Sequence, residues 1–369
     1  MFILLRKFQI KEPIKMNEKS VMKNKNLVLG ILILIILGVV FVSGCVQQEE
    51  DGTGNGQNGD GGEAIIPADL TQITFLEDLA ADPSWSPDGS RLVFLGLEKN
   101  MMEGGLYVMN SDGTGLFKIE GQWRSDHLFN PSWNPVNNKI ICHGPSSGQG
   151  LGGNGLFLVD LDGDQTERIE LSSQIVEWIG WNPNGEKIAY NVYRDYDSSS
   201  NEYESSSIWV MNTNGSGQTQ LTTAADGFCA GPSFSYDGSK IVYLKGFTTT
   251  MGGLKPEKAV NEIWVMNSDG SNKHMIYAPG EGMQLIRERA WNKNDEIIFA
   301  RHQQLKAPQI WVINADGTNP RCILDPEEGG VPTAIYDDAV WDNSGTKVAV
   351  TKVLVSDESW HIATFSWEE

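Results

Sequence analysis

The sequence predicts an all-β fold, a six-bladed β-propeller of four-stranded antiparallel blades. Three observations predict it. An aromatic residue leading into a Pro, Asn, Asp or Gly turn recurs at Trp85, Trp133, Trp181, Phe234, Trp291 and Trp341, at spacings of 48, 48, 53, 57 and 50 residues that leave no room for a seventh copy. Each anchor is followed by a run alternating apolar and polar residues, and period two is the mark of a strand. Composition agrees, because 40 Gly, 12 Trp and only 21% charged residues suit a turn-rich β protein rather than a coiled coil.

The elements of one copy follow in order. The anchor closes a first strand, as in Pro83-Ser84-Trp85-Ser86-Pro87-Asp88-Gly89. Runs such as Arg91-Leu92-Val93-Phe94 and Lys240-Ile241-Val242-Tyr243 give the second strand. The third ends on Asp-Gly or Asn-Gly, as in Ile208-Trp209-Val210-Met211-Asn212-Thr213-Asn214-Gly215. Gly, Asn and Asp tolerate the positive φ of tight reversals, so these are hairpin turns. A short fourth strand follows, for example Leu116 to Ile119 or Cys322 to Leu324. Four antiparallel strands per ~50 residues make a propeller blade. Copy six supplies three strands, the third from His361 to Trp367, before the sequence ends. Leu70 to Leu76 precedes the first anchor and is expected to supply the missing outer strand, closing the ring and removing an exposed edge.

The repeated Trp-Ser-Pro-Asp-Gly core, the aromatic third strand and the Asp-Gly turn resemble the TolB-type repeat, a WD40-like (PD40) propeller motif. The likeness runs from Leu70 to Glu369. Copy one fits it fully; copies two and five lack the Pro-Asp-Gly, and copy four has Phe234 for Trp. The recurring residues have structural roles in such a fold, the aromatic packing between blades and Asp-Gly making the turn. The resemblance therefore implies an architecture and leaves function to be argued from sites.

Ahead of the repeats, residues 27–42 form an uncharged run of 16 rich in Leu, Ile and Val, with Lys19, Lys23 and Lys25 before it and Ser43-Gly44-Cys45 after it. A basic segment, an apolar segment and small residues make the layout of an export signal. Val42-Ser43-Gly44-Cys45 resembles the lipobox of prokaryotic lipoproteins, which implies lipidation at Cys45. The alternative is an uncleaved anchor, but spanning a bilayer takes about 20 apolar residues. Both place the rest of the chain outside the cytoplasm, with the lipid tying it to the membrane. Residues 46–64, with six Gly, five acidic side chains and a single aliphatic one before Ala64, read as a solvated tether. The expected domains are thus 1–45, 46–64 and the propeller, 65–369.

The first 45 residues hold 7 of the 28 Lys and Arg and 2 of the 48 Asp and Glu, leaving 21 against 46 in the remainder. That field repels phosphate backbones and excludes nucleic acid as a leading partner. Strand order places the uniform Asp-Gly turns on one face of the propeller. The long connections fall on the other: 121–130, 143–154, 191–206, 246–261, 279–287, 301–306 and 325–334. Long loops on a rigid scaffold are where binding resides. Trp123, Arg124, His127, Arg194, Tyr196, Tyr203, Arg287, Arg301 and His302 lie there, and aromatic and Arg residues are enriched at binding hot spots.

No catalytic motif stands. Gly144-Pro145-Ser146-Ser147-Gly148 matches G-x-S-x-G but runs into a Gly-rich stretch instead of a helix. Asp160 to Asp164 aligns with the plain hairpin turns and has Leu171 where a calcium loop needs Glu. The five His show neither H-x-H nor H-E-x-x-H spacing, and three cysteines beyond Cys45 leave at least one unpaired. Cys142 and Cys322, in apolar strands, are expected to be buried thiols. The expected function is a monomeric, membrane-tethered binding or scaffolding protein without cofactor or bound metal, which recognises a protein, peptide or envelope polymer. The alternative is an oligosaccharide lyase-like enzyme with a metal at the channel mouth. TolB-like propellers of that activity use a His-based metal site, but no motif here matches it.

Overall fold

The computed structural model describes residues 65–74, 79–97, 104–119, 129–145, 154–161, 166–169, 171, 175–197, 202–246, 262–278, 283–286, 290–303, 306–326, 332–357 and 359–367. Cys45, the tether, Trp123, Arg124, His127 and Arg287 lie outside them. Among the described residues, the strands form six four-stranded antiparallel sheets.

The first strand in the chain is β1 (Thr71–Gln72). Blade 1 is β2 (Leu79–Trp85), β3 (Arg91–Leu97), β4 (Gly104–Asn110) and β5 (Phe117–Lys118). Blade 2 is β6 (Phe129–Trp133), β7 (Lys139–Pro145), β8 (Asn154–Asp160) and β9 (Thr166–Ile169). Blade 3 is β10 (Ile175–Trp181), β11 (Lys187–Asp197), β12 (Glu202–Asn212) and β13 (Thr219–Gln220), and blade 4 is β14 (Cys229–Phe234), β15 (Lys240–Lys245), β16 (Glu262–Asn267) and β17 (His274–Tyr277). Blade 5 is β18 (Met283–Leu285), β19 (Glu296–His302), β20 (Gln309–Asn314) and β21 (Arg321–Leu324). Blade 6 is β22 (Ala334–Trp341), β23 (Lys347–Leu354) and β24 (Trp360–Ser366), with β1 as its outer strand.

The closure is therefore the expected one. Thr71 pairs with Thr364 and Gln72 with Ala363, and the Ile73 N–H donates to the Ile362 carbonyl at 2.9 Å. Ile362 N in turn donates to Thr74 Oγ1 at 2.8 Å. Blade 3 makes the same pair of bonds without any closure: Leu221 N donates to Ile208 O, and Ile208 N to Thr222 Oγ1, both at 2.8 Å. At the first described residue, Ile65 pairs with Asp325 beside blade 5.

The anchors fill the space between blades. Trp85, Trp133 and Trp341 are fully buried, while Trp181, Phe234 and Trp291 are nearly so. Trp181 Nε1 donates to Ser132 O and Trp341 Nε1 to Ala290 O, each reaching the preceding blade at 3.1 Å. Arg91 stacks over Trp133 with its guanidinium 5.2 Å from the ring centre, adding a cation–π contact between blades 1 and 2. Two turn glycines show why no other residue serves. Gly185 has φ 71°, and a Cβ there would lie 2.5 Å from Asn134 Oδ1 of blade 2. Gly113 has φ 83°, and its Cβ would lie 2.5 Å from the Ile73 carbonyl of the closing strand. Turns thus lock onto the blade before them, and the interblade cores are continuous apolar layers.

Cys142 and Cys229 are buried free thiols, and burial raises the pKa of both. Cys322 is half-buried, because it lies on the outermost strand of blade 5 and no further strand covers it.

Candidate functional site

Five of the six innermost strands reach their anchors through the same irregularity, and in blade 5 residues 287–289, ahead of the anchor, lie outside the described residues. Pairing with the second strand shifts register between Ala81 and Ser84, Phe129 and Ser132, Glu177 and Ile179, Ala230 and Ser233, and Asp337 and Val340. Within each shift one residue, three before the anchor, takes a positive φ: Asp82 (53°), Asn130 (48°), Trp178 (38°), Gly231 (61°) and Asp338 (53°). A bulge of this kind re-aims a side chain away from the sheet. Asn and Asp visit this region at modest cost, but for Trp it is a strained conformation.

Four of these five residues meet at one place. Asp82, Pro83, Asn130, Pro131, Trp178, Ile179, Asp338 and Val340 line a cavity of about 330 Å³, open solvent at its mouth included. Its walls come from blades 1, 2, 3 and 6, so it lies on the propeller axis. The space free for the centres of water-sized groups is about 30 Å³. That admits the tip of a side chain or a sugar substituent rather than a whole small molecule.

Polar side chains surround the lining. Asn130 Nδ2 lies 3.1 Å from His143 Nε2, and burial holds the His143 pKa down at about 4, so this ring is neutral near pH 7. Asp82 N donates to Thr351 Oγ1 of blade 6 at 3.3 Å. Asp338 N donates to the Asp337 carboxylate, which also lies 3.2 Å from His302 Nε2 of blade 5. The opposite end of the axis is tied across. Asn343 Nδ2 donates to Pro87 O of blade 1 at 2.6 Å and to Pro135 O of blade 2 at 3.2 Å. Reaching past the adjacent blade to the next is open only to groups near the axis.

Five of the expected site residues, Arg194, Tyr196, Tyr203, Arg301 and His302, lie on strands instead of in the loops assigned to them. Residues 191–206 are mostly strand, because β11 and β12 extend the blade into a long hairpin with only 198–201 between them. Arg194 therefore sits on a strand, stacked 5.6 Å over Trp209, and Tyr196 pairs in register with Tyr203. Arg301 and His302 end β19 instead of starting a loop. The Arg301 guanidinium lies 5.1 Å over Trp311, just as Lys245 lies 4.0 Å over Trp264 one blade earlier. These cations cover aromatic rings of their own blades. Of the expected residues whose side chains are described, His302 is joined to the axial polar groups, through Asp337.

The bulge residues were not singled out in the sequence. A signal existed: Asp82-Pro83, Asn130-Pro131 and Gly231-Pro232 place a turn-prone residue before proline at a fixed distance from the anchor. Among the described residues, no group of three His, Cys, Asp or Glu side chains could hold a metal ion, and no helix is long and apolar enough to cross a membrane.

The chain is similar in structure to an Agrobacterium tumefaciens protein assigned as a TolB, with 18% identity, 80% of this chain and 93% of that one covered, and a TM-score of 0.57. The fold is TolB-like. An oligogalacturonate lyase in complex with manganese shares it at 10% identity (84% and 96% covered, TM-score 0.51), as does part of the tricorn protease at 14% (77% and 26% covered, TM-score 0.52). No protein-family model and no curated protein sequence matches the chain. At these identities the propeller is shared by a TolB, a lyase and a protease alike, and the likeness speaks for the fold.

Proposed function

We propose that this is an exported, membrane-tethered binding or scaffolding protein that receives a protein, peptide or envelope polymer at the channel mouth on its loop-rich face. The observation that carries this reading is the axial cavity, where four blades use the same bulge to turn Asp82, Asn130, Trp178 and Asp338 onto the axis. A strained Trp held at an opening costs folding energy, of order 1–3 kcal/mol for such a residue, and persists where a site needs it. The small volume favours a projecting group of a macromolecule over a free metabolite. Cys45 lipidation and the 46–64 tether supply the address in this reading.

Photo-crosslinking in intact cells tests it. Val355 is exposed in the second-to-third-strand connection of blade 6, on the loop-rich face, and Val136 is exposed in a turn on the opposite face. With benzoylphenylalanine at each position of the full chain, a specific adduct is expected from residue 355 and none from residue 136. Adducts from 136 alone would place the partner on the wrong face and end the proposal.

A further inference from the structure

The axial cavity has two unlike sides. Where blade 1 meets blade 6, carboxylates gather: Asp82 N donates to Thr351 Oγ1 at 3.3 Å, and Thr351 lies directly opposite Asp337, whose carboxylate accepts from Asp338 N at 2.8 Å. Asp82 and Asp338 line the cavity itself. On the other side are Asn130 of blade 2 and Trp178 of blade 3, and in a ring of six blade 3 stands diametrically across from blade 6. Pro83, Pro131, Ile179 and Val340 complete the lining as an apolar wall.

The amide of Asn130 is oriented from behind. Burial lowers the His143 pKa to about 4, so the ring is neutral near pH 7 and its Nε2 lone pair accepts from Asn130 Nδ2 at 3.1 Å. With its nitrogen engaged, Asn130 has its carbonyl oxygen to offer a ligand. The cavity is therefore edged by carboxylate and carbonyl oxygens, with an indole across from the carboxylates. An anion meets like charge there. A divalent metal ion needs several converging ligands, and among the described residues no group of three His, Cys, Asp or Glu side chains could hold one. The free space, about 30 Å³ for the centres of water-sized groups, holds an ammonium and the carbon beside it, whereas a guanidinium is a wider, planar group.

We infer that the axial cavity takes the primary ammonium of a lysine side chain on the partner, with Asp82 and Asp338 accepting from it, Asn130 Oδ1 beside them and Trp178 opposite. The lining matches both halves of that side chain. Lysine carries a charged tip on an apolar stem, so the stem lies against Pro83, Pro131, Ile179 and Val340 while the tip reaches oxygens and an aromatic ring. An ammonium leaves water at a cost unless it is paired and hydrogen-bonded, and the cavity supplies those partners. Beyond residue 45 the chain carries 21 Lys and Arg against 46 Asp and Glu, a field that draws a basic segment in. This assignment rests on the proposed entry of a projecting group into the cavity and adds the chemistry of that group.

The test uses the full chain in detergent, labelled with 15N-tryptophan; the chain has 12 Trp, and the indole signal lost in Trp178→Asn assigns Trp178. Capped Gly-Xaa-Gly tripeptides with lysine, arginine, norleucine or glutamate at the centre are titrated separately. The lysine peptide is expected to shift the Trp178 signal saturably with a Kd on the order of millimolar. Norleucine keeps the stem and loses the charge, and it should bind about tenfold more weakly, the worth of one charge-assisted hydrogen bond. Arginine should bind more weakly than lysine, and glutamate should give no shift. Asp82→Asn removes a charge at a position whose φ of 53° asparagine tolerates, and should weaken the lysine peptide about tenfold while leaving the norleucine peptide unchanged. The assignment is overturned by the absence of a saturable shift up to about 100 mM lysine peptide. It is equally overturned if norleucine, arginine or glutamate binds as tightly as lysine, or if Asp82→Asn titrates like the parent. The adduct from residue 355 reads the docking face separately. An adduct without lysine preference leaves the docking face standing and sinks the ammonium, while lysine preference without an adduct does the reverse.

Discussion

Truncating Ile73 to Ala probes the ring closure directly, because Ile73 lies just beyond the two-residue closing strand. Its side chain is 5% exposed and packs with Ala80, Trp85, Phe94 and Ile362, so it belongs to the core between blades 6 and 1. Burying Ile or Leu in a core and then cutting it to Ala costs about 2–5 kcal/mol, with the spread set by how far the site can collapse. Beside a closing strand of only two residues some relaxation is available, so about 2–3 kcal/mol is the expectation, or a fall in Tm on the order of 5 °C for a domain this size. Leu221 is the matched control. It is 6% exposed, occupies the same place on blade 3 and makes the same backbone bond, but lies in mid-chain. Thermal and denaturant unfolding of the full chain should give losses within about 1 kcal/mol of each other for Ile73→Ala and Leu221→Ala. A loss under about 0.5 kcal/mol for Ile73→Ala beside a full loss for Leu221→Ala would be typical of a surface change. The ring would then be open and the closing strand an accessory.

Three further outcomes are expected. Gly185→Ala places a side chain at φ 71° and against Asn134 and Val136, so it should cost about 2 kcal/mol or more in denaturant melts; a neutral result would mean that the turn of blade 3 does not dock on blade 2. His143 has its pKa lowered to about 4 by burial, against about 6.5 unfolded. The unfolded chain therefore takes up a proton that the folded chain refuses, and stability complete above pH 6.5 is lost as pH falls toward 4. In His143→Gln that loss between pH 7.5 and 4.5 should shrink by on the order of 2 kcal/mol, and an unchanged pH dependence would show that the ring is solvated. Trp178→Asn puts a residue that accepts positive φ at a strained position. Stability should change by less than about 1 kcal/mol while the crosslink from residue 355 weakens, whereas a loss of 3–5 kcal/mol would make Trp178 a core residue instead of a recognition residue.

The architecture was legible because every copy repeats the same local signals. Anchor and alternating strand agree six times over and the Asp-Gly or Asn-Gly turn five times, and a strand before copy one with a strand missing from copy six has one economical solution. The site was less legible because the signals that mark loops also mark long hairpins. Tyr196 and Tyr203 lie on either side of Asp197-Ser198-Ser199-Ser200-Asn201, which reads as a loop by composition, yet pairing carries the strands up to residues 197 and 202. Arg194 and Arg301 look like free hot-spot residues until Trp209 and Trp311, on the neighbouring strands, are found beneath them.

The two faces differ in what chemistry they leave available. On the turn-rich face, Asp88 and Asp237 accept from the hydroxyls of Ser86 and Ser235 two residues before, and Asp88, Asp237, Asp112, Asp269 and Asp316 each accept from the hydroxyl and the backbone N–H two residues on; these bonds hold their carboxyls below the usual range. Those charges are already engaged in shaping turns, and the turns are near copies of one another. A partner arriving there meets closely related turns from several blades, with Asn343 tying the turns across the axis. At the loop-rich end the equivalent positions differ from blade to blade: Asp82, Asn130, Trp178, Gly231 and Asp338 share a backbone geometry but no side-chain chemistry. Specific recognition needs unlike groups held in fixed relation, because discrimination is a difference between matched and mismatched contacts. Only the loop-rich end of the axis meets that requirement, with the backbone repeat supplying the fixed relation and the side chains the difference.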